Sequence, residues 1–319
     1  MTILLLTDNP EGFQHITTTH LEQIKQVDSE ADIFITTTPT EEERKQTEVL
    51  IPAVNASKLN LSDYPNLKWI HTTSAGVNGL PEDIFTSTIL LTNSSGVHPN
   101  PISEHIFAYL LMFARGIPVT SLNQTERKWD KKGVTTFELH GKTIGIVGLG
   151  RIGKETARLA KAFQMKVLAV KTKKEEEANV DEVYTSDEIE TVLKQSDFIV
   201  NCLPSTSETD GLFTIEKFKQ MKQSAYFVNI GRGTTVKEDD LIEALEIGII
   251  AGAGLDVFET EPLPSSSKLW EMKNVIITPH TAGMTPEYAN RMIEIFCQNL
   301  KAYKEGKTLP NEVDKSKGY

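Results

Sequence analysis

Residues 143–153 read Thr-Ile-Gly-Ile-Val-Gly-Leu-Gly-Arg-Ile-Gly, and no other stretch restricts the fold of this chain so tightly. Gly148, Gly150 and Gly153 fit the spacing G-x-G-x-x-G. An apolar strand precedes them, and a helical stripe of Thr156, Ala157, Leu159, Ala160 and Phe163 follows. A second strand, Lys166–Val170, closes a βαβ unit of about 30 residues. Each glycine has a reason. Gly148 permits a tight turn, Gly150 lets backbone approach a pyrophosphate, and Gly153 lets helix and strand pack closely. The helix begins at Arg151 and Ile152, and its first N–H groups and positive dipole end would face the phosphates. This context favours a dinucleotide site over a bare strand–helix turn.

The end of the second strand speaks to which dinucleotide. An Asp or Glu about 20 residues past the turn would bind a ribose 2′-OH. Lys171, Thr172, Lys173 and Lys174 stand there instead. Lysines would pair with a 2′-phosphate, so NADP is expected in preference to NAD. If these lysines form only a solvated loop, NAD binds without the usual carboxylate.

The rest of the chain repeats the strand–helix alternation. Residues 3–6, 33–36, 49–54 and 67–71 read as strands, with a helical stripe of Phe13, Ile16, Leu21 and Ile24 after the first. A second series begins near residue 142 and continues through 198–201, 225–230, 251–255 and 275–278. These runs are nearly continuous in Val, Ile, Leu and Ala, as strands covered on both faces must be. Between the series, residues 101–115 form a helix whose stretch 106–114 is apolar without a break. It is expected to be buried on every side, or else to reach a partner subunit. A final amphipathic helix at 288–303 would pack back on the first domain and make that domain discontinuous.

Composition sets the outer bounds. A chain of 319 residues suits about two domains. The net charge of −11 argues against a nucleic-acid partner. No apolar run approaches the roughly 18–20 residues of a membrane span. The run at residues 3–6 meets Asp8 at once and follows no basic stretch, so no signal peptide is expected. Cys202 and Cys297 lie too far apart for a metal or redox spacing, and no metal site is expected. A cytoplasmic protein with reduced thiols is the reading that results.

Three polar motifs end successive strands of the second series: Asn229-Ile230-Gly231-Arg232-Gly233, then Asp256-Val257-Phe258-Glu259-Thr260-Glu261-Pro262, then Thr278-Pro279-His280-Thr281-Ala282-Gly283. Ligands of open parallel sheets sit beyond the carboxyl ends of the strands. Arg232, Glu261 and His280 could therefore converge on the edge that carries the glycine turn.

With these motifs the chain resembles the D-isomer-specific 2-hydroxyacid dehydrogenases. The resemblance also rests on Ser74-Ala75-Gly76-Val77-Asn78, Ser103-Glu104-His105, Glu138-Leu139-His140-Gly141-Lys142-Thr143 and Cys202-Leu203-Pro204. It implies an α/β fold of two doubly wound parallel-sheet domains. A Rossmann NAD(P)-binding domain, residues 98–285, would be inserted into a flavodoxin-like substrate domain, residues 1–97 and 286–319.

The resemblance further implies hydride transfer between a nicotinamide and a small 2-oxo acid, giving the D-2-hydroxy acid. Arg232 would hold the carboxylate and carbonyl oxygen through its rigid donor fork. His280 would be the general acid, and the base in reverse. Glu261 would bond His280 and stabilise its imidazolium form. The N–H groups of Ala75, Gly76 and Val77 would bind the substrate carboxylate. Asp256 would meet the nicotinamide carboxamide, and Leu203, Pro204 and Ile230 would line the cofactor. Asn78 stands where many relatives have Asp. His71, His98 and His105 are read as structural, and a homodimer is expected. Two alternatives stay open. Formate dehydrogenases share the pattern but carry Gln at the Glu261 position. Dinucleotide-sensing corepressors of this fold keep the catalytic residues and bind partner peptides.

Overall fold

A computed structural model describes residues 1–7, 16–53, 59–77 and 79–315. Phe13 and Asn78 lie outside the described residues. In chain order, the first segment supplies β1 (Thr2–Thr7), α1 (Thr18–Val27), β2 (Asp32–Thr36), α2 (Glu41–Gln46), β3 (Val49–Ala53), β4 (Trp69–His71), α3 (Glu82–Thr86) and β5 (Leu90–Thr92). The helices α4 (Pro99–Arg115) and α5 (Ile117–Thr125) come next. The middle segment continues with β6 (Thr143–Val147), α6 (Arg151–Ala162), β7 (Lys166–Val170), β8 (Glu182–Tyr184), α7 (Ile189–Gln195) and β9 (Phe198–Asn201). It ends with α8 (Ile215–Phe218), β10 (Tyr226–Asn229), α9 (Glu238–Glu246), β11 (Gly252–Leu255) and β12 (Val275–Ile277), before the last helix α10 (Tyr288–Lys304).

These elements form two compact units. One comprises residues 1–97 and 284–319, the other residues 98–283. In the first unit the parallel sheet runs β2-β1-β3-β4-β5, the flavodoxin-like order. Alternate strand residues serve two separate cores. Ile3, Leu5, Val49, Ile51 and Trp69 pack with Ile24 of α1 and with Met292, Phe296 and Leu300 of α10. Leu4, Leu6, Leu50 and Ile70 pack on the opposite face with Ile84 of α3. The Trp69 ring stacks on Phe296 at 5.1 Å. With helices on both faces, the strands need no polar side, which is why they read as continuous apolar runs.

In the second unit the parallel sheet runs β12-β11-β10-β9-β6-β7-β8. Strand order reverses between β6 and β9, as at the switch point of a Rossmann sheet. Ile144, Ile146, Val167 and Val200 face α4 and α6, while Val147, Leu168, Ile199 and Phe227 face α7 and α9.

One of the two alternatives for the long apolar helix is ruled out, and two strands lie outside the sequence reading. The helix at 101–115 is not covered all round: Ile106, Tyr109, Leu110 and Phe113 of α4 are buried, but Ala108 and Leu111 are exposed. An apolar sequence alone does not say how many faces find neighbours. The short strands β5 and β8 have no counterpart in the sequence reading. β8 is an edge strand with an exposed Glu182, so it lacks the apolar run that marks the central strands. Among the described residues no single helix is long and apolar enough to cross a membrane.

Candidate active site

The glycine turn closes β6. Gly148 sits at φ +99°, a conformation that side chains with a Cβ rarely adopt, and its N–H donates to the Val170 carbonyl at 3.1 Å. A Cβ on Gly153 would lie 2.5 Å from the Gly148 oxygen, so α6 rests directly on the turn. Gly150 is the N-cap of α6. No side chain caps this helix and its first turn holds no acidic residue. Nothing lies within 4 Å of where a Gly150 Cβ would be. Backbone donors at Arg151, Ile152 and Gly153, in a first turn without acidic residues, fit the pyrophosphate of a dinucleotide.

The loops after the next strands lie beside one another. After β9, Leu203 is half-buried and Pro204 exposed. The Ser205 and Thr234 hydroxyls hydrogen-bond at 3.0 Å, which ties this loop to the one after β10. Ile230 is buried and Arg232 exposed. The Arg232 Nη1 donates to the Gly231 carbonyl at 2.7 Å. Its own carbonyl accepts from Asn229 Nδ2 at 3.3 Å and from Thr235 Oγ1 at 2.6 Å. Buried Asn201 donates to both Asn229 Oδ1 and Thr235 Oγ1, at 2.9 and 2.7 Å. This amide network fixes the backbone from which the guanidinium projects. The sequence reading passed over Asn201 and Thr235. A lone Asn ending an apolar strand was the available signal.

Beyond β11 and β12, two of the expected side chains meet. His280 Nδ1 donates to Glu261 Oε2 at 2.7 Å, and Glu261 Oε1 accepts from the Phe258 N–H at 3.0 Å. A carboxylate only accepts, so the imidazole hydrogen lies on Nδ1 and Nε2 is left for another partner. Both side chains are substantially exposed, His280 by 53% and Glu261 by 36%.

His280 has φ 55°, and its N–H bonds the Asp256 carbonyl at 2.9 Å. The Asp256 carboxylate holds the same loop from beneath. It accepts from Thr278 Oγ1 at 2.5 Å, from the Thr281 N–H at 2.8 Å and from the Ala282 N–H at 3.0 Å. Asp256 is thus a buried anchor for the His280 loop. The sequence reading had marked it only for a cofactor contact. His105 Nε2 hydrogen-bonds Thr278 Oγ1 at 3.0 Å, and the Tyr109 hydroxyl bonds the same oxygen. Burial holds His105 below the ordinary histidine range, against the attraction of Asp256. Because the Thr278 hydroxyl already donates to Asp256, His105 Nε2 is the donor in this bond.

At the end of β7, Lys171 is half-buried, and Thr172 and Lys173 are exposed. Lys171 is engaged by Glu175 and Glu177. These carboxylates offset the lysine charge on which the cofactor expectation rests.

In the first unit, residues 72–77 follow β4. The Thr72 carbonyl accepts from Ser94 Oγ at 2.8 Å, and the Thr73 carbonyl accepts from the Tyr288 hydroxyl. The Ser74 carbonyl accepts from the Ser94 N–H at 3.0 Å. The Gly76 carbonyl accepts from Ser74 Oγ at 2.5 Å. With these carbonyls tied back, the N–H groups of Ala75, Gly76 and Val77 have no acceptor among the described residues. His71, fully buried beneath them, bonds Thr92 Oγ1 at 2.7 Å and Ser94 Oγ at 3.2 Å.

Residues 107–282 match the family model for the D-isomer specific 2-hydroxyacid dehydrogenase, NAD binding domain. The chain belongs to the D-isomer-specific 2-hydroxyacid dehydrogenase family. It is 38% identical over 259 residues to a glyoxylate reductase of Pyrococcus furiosus, covering 79% of this chain and 77% of that one. Among solved structures, a D-isomer specific 2-hydroxyacid dehydrogenase family protein from Aeromonas salmonicida superposes with a TM-score of 0.82 at 32% identity, covering 98% of this chain and 99% of its own. An NADPH-dependent glyoxylate/hydroxypyruvate reductase from Sinorhizobium meliloti, solved with NADP and sulfate, gives 0.80 at 25% identity, covering 100% and 99%. As a 2-hydroxyacid dehydrogenase the protein is an NAD(P)-dependent oxidoreductase.

Proposed function

We propose that this dehydrogenase reduces small 2-oxo acids of the glyoxylate and hydroxypyruvate class to D-2-hydroxy acids. The observation that carries the mechanism is the 2.7 Å bond between His280 Nδ1 and Glu261, which occupies Nδ1 and leaves Nε2 for the substrate. A bound reduced nicotinamide would supply the hydride for C2. Protonated His280 gives its Nε2 proton to the carbonyl oxygen, so C=O becomes CH–OH and a neutral imidazole remains. Glu261 stabilises the imidazolium before transfer and keeps the tautomer after it. Arg232 orients the carbonyl oxygen and the carboxylate with paired N–H donors. The amides of Ala75, Gly76 and Val77 take the carboxylate. Leu203, Pro204, Ile230 and the glycine turn would hold the dinucleotide, with NADP preferred through Lys171, Thr172 and Lys173. The carboxylate at residue 261, bonded to a histidine, supports a reaction with proton transfer to oxygen and so disfavours formate oxidation.

We further propose a homodimer formed through the second unit. Leu111, Ile117, Leu122 and Trp129 leave apolar surface in water, and Trp129 is 99% exposed. A second copy of the chain would cover it.

A panel of small 2-oxo acids with NADPH and NADH tests the activity through loss of reduced-nicotinamide absorbance. Turnover with glyoxylate or hydroxypyruvate is expected. Tight dinucleotide binding without turnover on any acid would favour the corepressor-like reading instead.

A further inference from the structure

The segment after β7 folds into an ion-pair cluster that hydride transfer does not use. Glu177 Oε1 lies 2.5 Å from Lys171 Nζ, and Glu177 Oε2 lies 2.8 Å from Lys154 Nζ. Lys171 follows β7 directly and Lys154 stands in the first turns of α6. Glu177 thus bridges the strand end to the helix that begins at the glycine turn. In a Rossmann sheet that ground lies under the adenosine ribose.

The two carboxylates on Lys171 differ. Glu175 is 57% exposed and can swing into water at little cost. The Glu177 side chain is only 12% exposed and is clamped by a second lysine. It cannot leave without breaking two ion pairs.

A 2′-phosphate carries about −1.5 to −2 charges. To reach Lys171 it must approach Glu177 or displace it. A ribose 2′-OH meets no such repulsion and can donate to the same carboxylate. We propose that Glu177 is a specificity-determining residue, which competes with the 2′-phosphate of NADP for Lys171 and so restrains the preference for NADP over NAD. The proposal rests on the reading that places the adenosine ribose beside Lys171.

Calorimetric titration of NADP⁺ and NAD⁺, without turnover, tests both levels. Glu177→Gln keeps the shape and removes the charge. It is expected to tighten NADP⁺ about tenfold while leaving NAD⁺ within about twofold. Glu175→Gln should change NADP⁺ affinity less than Glu177→Gln does. NAD⁺ binding in the same samples reports that each variant is folded. Unchanged or weaker NADP⁺ binding by Glu177→Gln, or an equal gain for NAD⁺, would overturn the role of Glu177. Lys171→Met separates the two failures. If it weakens NADP⁺ while Glu177→Gln gains nothing, the ribose placement stands and the competition is wrong. If it binds NADP⁺ as wild type does, the placement itself fails.

Discussion

The loop after β4 and the loops after β10, β11 and β12 all carry the proposed functional groups at the carboxyl ends of parallel strands, but they present different atoms. In the second unit the groups are side chains: Arg232, Glu261 and His280. In the first unit they are the backbone amides of residues 75–77. The supports differ accordingly. Beneath the side chains lie buried polar residues, Asp256 and the Asn201–Asn229 pair, that hold each loop's backbone in place. Around the amides, Ser94 and Tyr288 occupy the neighbouring carbonyls, and the N–H groups of residues 75–77 have no acceptor among the described residues. A side chain can be deleted by one substitution. An amide can only be loosened.

The largest effect therefore belongs to the second unit. His280→Ala removes the proposed proton donor, and general acid catalysis contributes typically about 10²–10⁴-fold. We expect kcat for 2-oxo acid reduction to fall by at least about 100-fold, with KM changing far less. Steady-state kinetics at saturating cofactor would measure it. A kcat near that of wild type would remove His280 as the acid and erase the contrast between the two kinds of loop.

This contrast also explains what could be read from sequence. Arg232, Glu261 and His280 stood out in the sequence as candidates because their side-chain chemistry appears at strand ends in a fixed order; of the three, the structure pairs Glu261 with His280, while Arg232 bonds the Gly231 carbonyl of its own loop. The glycine turn was legible because its spacing is set by backbone geometry. The amides of Ala75, Gly76 and Val77 have no side-chain signature, and only resemblance to a family pointed to them. Their supports were hidden for a further reason: Tyr288 reaches Thr73 across 215 positions of sequence. His105 and Thr278, which meet over 173 positions, were hidden in the same way. Lys171 reads in sequence as a partner for a 2′-phosphate because sequence does not show that Glu175 and Glu177 fold back on it.

The next effect concerns stability and belongs to the first unit. Burial pushes His71 from the usual 6.5 down to about 3. The folded protein keeps this histidine neutral, whereas the unfolded chain protonates it below about 6.5. Its stabilising contribution is complete above that pH and is lost as the pH falls towards 3. At pH 5 the loss amounts to about 2 kcal/mol. Denaturant midpoints at pH 7 and pH 5 should show it in wild type, and His71→Gln should show a smaller fall. Equal falls in both proteins would mean that the support under the amide loop does not titrate.

The smallest effect is the most discriminating. Burial pushes the Tyr288 hydroxyl up to about 12, so it remains a donor to the Thr73 carbonyl throughout any ordinary assay range. Tyr288→Phe removes that donor and leaves the ring in its packing place beside Met292 and Phe296. A net hydrogen bond contributes about 1 kcal/mol, so a loosened loop should raise the KM for the 2-oxo acid about fivefold. No atom of the proposed acid or its carboxylate partner is touched, so kcat should stay within about twofold. A fall in kcat at unchanged KM would show that the loop acts on the chemical step. The division between amides that bind and side chains that react would then be wrong.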